Sequence, residues 1–269
     1  MLLQYLLLGT FLLSTALEIS GIHSAKPLSN GDTVHENGDS GCESCATGIN
    51  SDAANKPCAK DAASGAVYPT GTSTRCLKAG MTDELRMNYL DMHNFRRHQL
   101  ANGHVAKNNG NLLPKATNMI KLELDCDLEA DAIAYAGTCP NEVSDESTRS
   151  GIGEHYHRIA VSKAGPAYVD GLKSAVTSWW KVVRQYPGIG MAAMFRANHV
   201  GTPIETFTQM GWAKTSKLGC SIVTCSSDYV VICRYSPKGN VVDENVYIPG
   251  TPCSQCIGTC YSDLGLCSA

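Results

Sequence analysis

Thirteen cysteines in a chain of 269 residues, all downstream of an apolar N-terminus, limit the fold more than any other feature. Residues 1–16 read MLLQYLLLGTFLLSTA, an uncharged run dominated by leucine. A bilayer span needs about 20 apolar residues. This run is shorter, and Glu18, Ser20 and Gly21 follow it. A short apolar core ending in small residues is the pattern of a secretory signal, with Ser14 and Ala16 at cleavage spacing. The cysteines agree with export, because thiols at this density are hard to explain in a reducing compartment. Cys253-x-x-Cys256 is half of a zinc pattern, but Cys260 and Cys267 do not complete it at matched spacing. Thirteen being odd, the expectation is six disulfides and one sulfur left unpaired or paired with another molecule.

A net charge of −3 with no basic block argues against nucleic acid as a partner. No stretch after the N-terminus is long and apolar enough to span a membrane. The composition divides the chain into a signal peptide (1–20), a polar extension with four cysteines (21–78), a central domain (79–238) and a cysteine-rich tail (239–269). The extension is rich in Gly, Ser, Asn and Asp and lacks apolar periodicity, which predicts a segment stapled rather than packed. Pairing within segments would leave the spare cysteine in the central domain, which has five; otherwise a bridge ties an extension to that domain. Four tail cysteines allow three pairings.

Within the domain, Thr82 is placed to cap a helix whose first turn carries Asp83 and Glu84. Leu85, Tyr89, Met92, Arg96 and Leu100 form its stripe, and Gly103 ends it. A second helix is predicted over residues 125–139 and a third over 167–186, with 140–166 irregular between them. Three short β-rich runs follow, at 207–213, 218–225 and 229–235, read as antiparallel strands with a hairpin at 226–228. Helices first and strands after predict one α+β domain.

For chemistry, the sequence shows no nucleophile elbow, no HExxH zinc motif and no Gly-rich phosphate loop. His93 and His98 are five residues apart and do not share a helix face well. His155 and His157 alternate, so both would lie on one side of an extended segment beside Glu154.

Four ordered segments add a resemblance. They are HNFRR from His93, GIGEHYHR from Gly151, FTQMGWAKTSKLGC from Phe207 and YVVICRYSPKGN from Tyr229. Together they resemble the CAP superfamily (SCP/TAPS). The stretches MTDELRMNYLDMHNFRR and YIPGTPCSQC resemble the activation-associated secreted, or venom-allergen-like, proteins of parasitic nematodes. The resemblance covers about residues 76–269. It implies an α-β-α sandwich with a three-stranded antiparallel sheet between helices. It also implies a cleft with two His and two Glu that holds a divalent metal in some members. His93 and Glu154 match two of the four, whereas Val182 and Thr206 stand at the other two positions. Two ligands make a poor zinc site, so no catalytic residue and no metal set is assigned, and at most weak divalent-metal binding is expected. The resemblance further implies a Cys225–Cys233 bridge. Its functional implication is a secreted, non-enzymatic binding protein engaging host extracellular or cell-surface proteins, or sterol or other lipid. The alternative is a secreted metal-assisted hydrolase.

Overall fold

The computed structural model describes residues 60, 61 and 64–269. Two long strands, β5 (Lys217–Cys225) and β6 (Asp228–Ser236), form the centre of a six-stranded sheet. They pair antiparallel with Cys220 opposite Cys233 and Cys225 opposite Asp228. A two-residue turn joins them, with Ser226 at a positive φ of 57°, as the first central position of a hairpin turn of this length often requires. On the outer side of β6 lies β4 (Gly153–Ala160), antiparallel, from Gly153 opposite Tyr235 to Ala160 opposite Asp228. Two short strands, β1 (Lys60–Asp61) and β2 (Ala66–Val67), extend the sheet beyond β5, and β3 (Glu123–Leu124) runs parallel to β5.

Strand alternation sends neighbouring side chains to opposite faces, and each face of β6 meets a different helical layer. Tyr229, Val231, Cys233 and Tyr235 pack against α1 (Asp83–Ala101) and α4 (Tyr168–Lys181). Val230 and Ile232 pack against Ala132 and Ala136 of α2 (Cys126–Ala136). The result is an α-β-α sandwich. Gly219 is required where α2 crosses β5, since a Cβ there would stand 2.2 Å from the Glu129 nitrogen. Fully buried apolar side chains such as Leu172 and Val176 each contribute about 1.5–3 kcal/mol relative to exposure. At the sheet's margin, Arg86 of α1 donates to both carboxylate oxygens of the fully buried Glu129 of α2, with Tyr89 donating as well. No helix among the described residues is long and apolar enough to cross a membrane.

The three predicted helices are present, with Thr82 and Asp125 as their side-chain caps in α1 and α2. The strand assignment is corrected in one place. Residues 207–213 are not a strand: α5 (Ile204–Met210) occupies that region and ends at Gly211. A short apolar run cannot be told from a buried helical turn by periodicity. The missing third strand is β4, inside the stretch read as irregular, because His155 and His157 occupy inward positions and hide the alternation. On α1, Leu85, Tyr89 and Leu100 of the expected stripe are buried, and Arg86, His93, Asn94 and Arg97 are buried beside them. A four-residue helix, α3 (Val161–Ala164), links β4 to α4.

The bridges differ as well. Cys225 bonds Cys139 and Cys233 bonds Cys220, so the expected Cys225–Cys233 bridge does not form. The register explains this: Cys233 lies directly across from Cys220 on the α1 face, while Cys225 faces α2. Cys76–Cys126 ties the extension to the domain, and Ala66 is wholly buried, so this part of the extension is packed and not merely stapled. The tail closes as Cys253–Cys260 and Cys256–Cys267, with β7 (Cys260–Tyr261) pairing β8 (Leu266–Cys267) and Leu266 buried in the core. All ten described cysteines are thus bonded; Cys42, Cys45 and Cys58 lie outside the described residues. The odd sulfur therefore belongs to those three. Alkylation of the native protein without reduction, followed by peptide mapping, should label one of them and none of the other ten; a label on Cys139, Cys220, Cys225 or Cys233 would contradict this bonding pattern.

Candidate functional site

The HNxxR segment forms the middle of α1, and the fold uses all three polar residues internally. His93 is wholly buried, with Nδ1 2.7 Å from the Tyr89 carbonyl and Nε2 2.9 Å from the Tyr235 hydroxyl. Asn94 accepts from the Leu122 amide at 2.8 Å and donates to its carbonyl at 2.9 Å, standing in for a paired strand. Arg97, also wholly buried, donates to five backbone carbonyls: Ile120, Met210, Trp212, Ala213 and Thr215, at 2.8–3.1 Å. A guanidinium has five N–H donors in a planar fork, and here each has an acceptor. Burial pulls Arg97 down to about 9, which leaves it charged at neutral pH.

Glu154 is near the start of β4, and its side chain lies on the α2 face. Its Oε2 accepts from Arg234 Nε at 2.8 Å, and Oε1 accepts from the Ser144 amide at 2.6 Å. Arg149 approaches to 4.0 Å, and Arg234 also reaches Asp131 of α2 at 3.5 Å. Glu154 and Arg234 are cross-strand partners on one face, whereas His93 meets Tyr235, the next residue of β6, on the other. The sheet therefore separates His93 from Glu154, and the two do not form one cleft.

The other two cleft positions do come together, at the junction of α4 and α5. Thr206 donates from its hydroxyl to the Trp179 carbonyl at 2.8 Å, and Val182 follows one turn later, buried in the hydrophobic cluster that includes Phe207. Thr206 thus stands on a helix and not on the first strand. Gly153 admits this helix, because a Cβ there would be 2.3 Å from Gln209 Oε1. Gln209 in turn accepts from the Gly239 amide at 2.8 Å and donates to Thr215 at 3.1 Å.

His155, named in the sequence beside Glu154, is buried. It lies on the α1–α4 face, 4.7 Å from the Tyr235 ring and 5.1 Å from that of Trp179 by centroid, and its Nδ1 has no hydrogen-bond partner. Alternation along GEHYHR was the available signal, and its inward position required knowing that the segment is a strand. Burial lowers both His155 and His93 to about 3.

The chemical capacity of these residues follows from their partners. Zinc needs free imidazole, thiolate or carboxylate ligands at about 2.0–2.3 Å. His93 has both nitrogens engaged, and Glu154 has one oxygen on a guanidinium and one on an amide. The sulfurs of Cys253, Cys256 and Cys260 lie within 4.8 Å of one another, but all are in disulfides and cannot ligate as thiolates. The two-His, two-Glu metal set therefore does not fit the residues present.

Sandwich, sheet order and motif positions together define a secreted-protein scaffold of one family. Residues 90–235 match the model of the cysteine-rich secretory protein family, CAP, and the chain belongs to it. It is 35% identical over 204 residues to the Ancylostoma secreted protein of Ancylostoma caninum, covering 74% of this chain and 47% of that one. The chain thus spans about half the length of that relative. It is 32% identical over 178 residues to Scoloptoxin SSD552 of Scolopendra dehaani, covering 66% of this chain and 80% of that one. Among solved structures, that of NaASP2 with Zn2+ superposes with a TM-score of 0.67 at 31% identity, covering 72% of this chain and all of that one.

Two outcomes follow. Arg97→Lys replaces a five-donor fork with a point charge and strands several buried carbonyls, each costing about 1–3 kcal/mol; urea unfolding should show a loss of at least about 3 kcal/mol. The second concerns acid. A histidine that titrates near 6.5 when unfolded and about 3 when folded leaves the unfolded chain with more protons between those values, so stability is full above pH 6.5 and falls as pH drops toward 3. His155→Phe removes one such group and its unpaired nitrogen. It should cost little at pH 7 and flatten the acid limb by about 1.4 kcal/mol per pH unit, read by chemical denaturation from pH 7 to 4.

Proposed function

We propose that this is a secreted, non-enzymatic CAP-domain protein that works by binding, engaging a host extracellular or cell-surface protein or a sterol or other lipid. The observation that carries the reading is the commitment of the candidate cleft residues to internal structure. His93 holds α1 to β6, Glu154 neutralises Arg234, Val182 fills core and Thr206 caps the end of α4. A general base needs a lone pair within reach of substrate; His93 has both nitrogens engaged, and Glu154 is buried against Arg234 and the Ser144 amide. Ten bonded cysteines and a three-layer core hold the surface loops on a rigid frame, the arrangement by which loops become recognition surfaces. The names of the relatives, a secreted protein and a scoloptoxin, support export.

The test pairs turnover with metal binding. The purified protein, incubated with peptide and ester libraries with and without chelator, should show no turnover above a heat-denatured control. Zinc titration by calorimetry at neutral pH should show no saturable site tighter than about 100 μM, or about −5.5 kcal/mol. Chelator-sensitive hydrolysis would overturn the reading in favour of a metal-assisted hydrolase. Organic extraction with mass spectrometry, beside crosslinking to serum and leukocyte-surface proteins, separates a lipid from a protein partner.

A further inference from the structure

A groove of about 480 Å³ runs between β4 and α4 on the side where β4 has no further strand beside it. Its floor includes His157 and Ile159, and one wall is a single face of α4. Asp170, Lys173, Ser174, Thr177, Ser178 and Lys181 recur at spacings of three and four, so they share that face. Lys163 of α3 closes one end.

The charge of this groove opposes that of the chain. The protein carries −3 overall, yet three lysines face the groove against one carboxylate, Asp170, which already accepts from the Ala167 amide at 3.3 Å. Lys163, Lys173 and Lys181 are exposed and have no ion-pair partner among the described residues, so no carboxylate at ion-pair distance cancels the groove's positive charge. Arg96 of α1 adds to the field from behind, donating to Thr177 at 3.1 Å, while its buried Nε has no partner. Ser174 lies 3.5 Å from His157 Nε2, and both reach the groove. A row of unneutralised lysines along one groove presents a positive field that an anionic ligand would complement.

We infer that the groove between β4 and α4 is a binding site for a linear sulfated polysaccharide. Lys173 and Lys181 are separated by about 12 Å along the helix, at about 1.5 Å per residue, so they meet successive charges of an extended polymer and not one small anion. A trough between a strand and a helix suits a chain lying lengthwise. An anionic membrane is the poorer fit: a peripheral membrane face carries apolar side chains beside its basic ones, and none of the exposed large hydrophobic residues comes from β4, α3 or α4. The inference is independent of the partner proposed above, since it uses none of the same side chains.

The full-length secreted protein, disulfides intact, is passed over immobilised heparin at about 0.15 M ionic strength, with hyaluronan, which has carboxylates but no sulfates, and phosphatidylserine vesicles as parallel arms. The groove variant is Lys163→Gln with Lys173→Gln and Lys181→Gln. The control, Lys78→Gln with Lys107→Gln and Lys115→Gln, makes the same change of net charge elsewhere. The wild type should bind heparin in preference to hyaluronan and vesicles. The groove variant should lose tenfold or more, with its log–log salt slope falling by about two to three, one released counterion per contact; the control should stay within twofold. Absence of heparin binding, equal loss in both variants, or vesicle binding as strong as heparin binding would each overturn the assignment. Matching circular dichroism spectra establish that both variants are folded.

Discussion

One guanidinium organises the region where helices and sheet meet. Arg97 reaches from α1 into the connection between α5 and β5 and collects four of its carbonyls, plus that of Ile120. Those of Trp212, Ala213 and Thr215 lie where α5 has ended and β5 has not begun, so neither helix nor ladder satisfies them. Buried carbonyls in such a connection need an acceptor's partner from somewhere, and a side chain with five donors is the most economical source. The start of β5 is held by this contact, and with it the register that places Cys220 across from Cys233 and Gly219 beneath Glu129. Arg86 does related work at the other margin, where its pairing with Glu129 joins the α1 and α2 layers around the sheet.

The layers explain what was legible in the sequence. Helices whose inward faces are apolar, such as α4 with Leu172, Val176 and Trp179, show in the pattern of residues. So do β5 and β6, whose long buried runs are rich in β-branched residues. The inward face of α1 does not show, because Arg86, His93, Asn94 and Arg97 look like surface until their acceptors are known. β4 is hidden for the same reason. Its buried half carries Glu154 and His155, each polar, on opposite faces. Where hydrogen bonding replaces apolar contact as the reason for burial, hydropathy carries no signal.

The candidate site was legible only as a set of positions. Val182 and Thr206 lie at the α4–α5 junction, with Thr206 on a helix where a strand was expected. Nothing in a linear motif says which face of a sheet a residue takes, and that choice separates Glu154 from His93. A one-residue difference along β6, Arg234 against Tyr235, decides it. The basic groove has the opposite character. Its lysines are visible in the sequence, and the shared helix face of Lys173 and Lys181 follows from spacing alone, but the strand across from them, the approach of Lys163 and the excess of lysines over carboxylates required the fold.

The disulfides also decide what a single peptide-bond cleavage can do to this protein. Cys76–Cys126 encloses residues 77–125, the overlapping Cys139–Cys225 and Cys220–Cys233 bridges enclose 140–232, and the interleaved tail bridges enclose 254–266. A cut anywhere in those spans opens a loop but releases no fragment. Between Cys76 and Cys267 the unenclosed stretches are 127–138, almost all of it α2, and 234–252, the end of β6 and the connection to the tail. A protease that nicks the enclosed loops would leave one covalent body whose surfaces remain attached to the same frame, and loss of material would require two cuts within one loop or one cut in an unenclosed stretch, in or just after α2 or beyond Cys233.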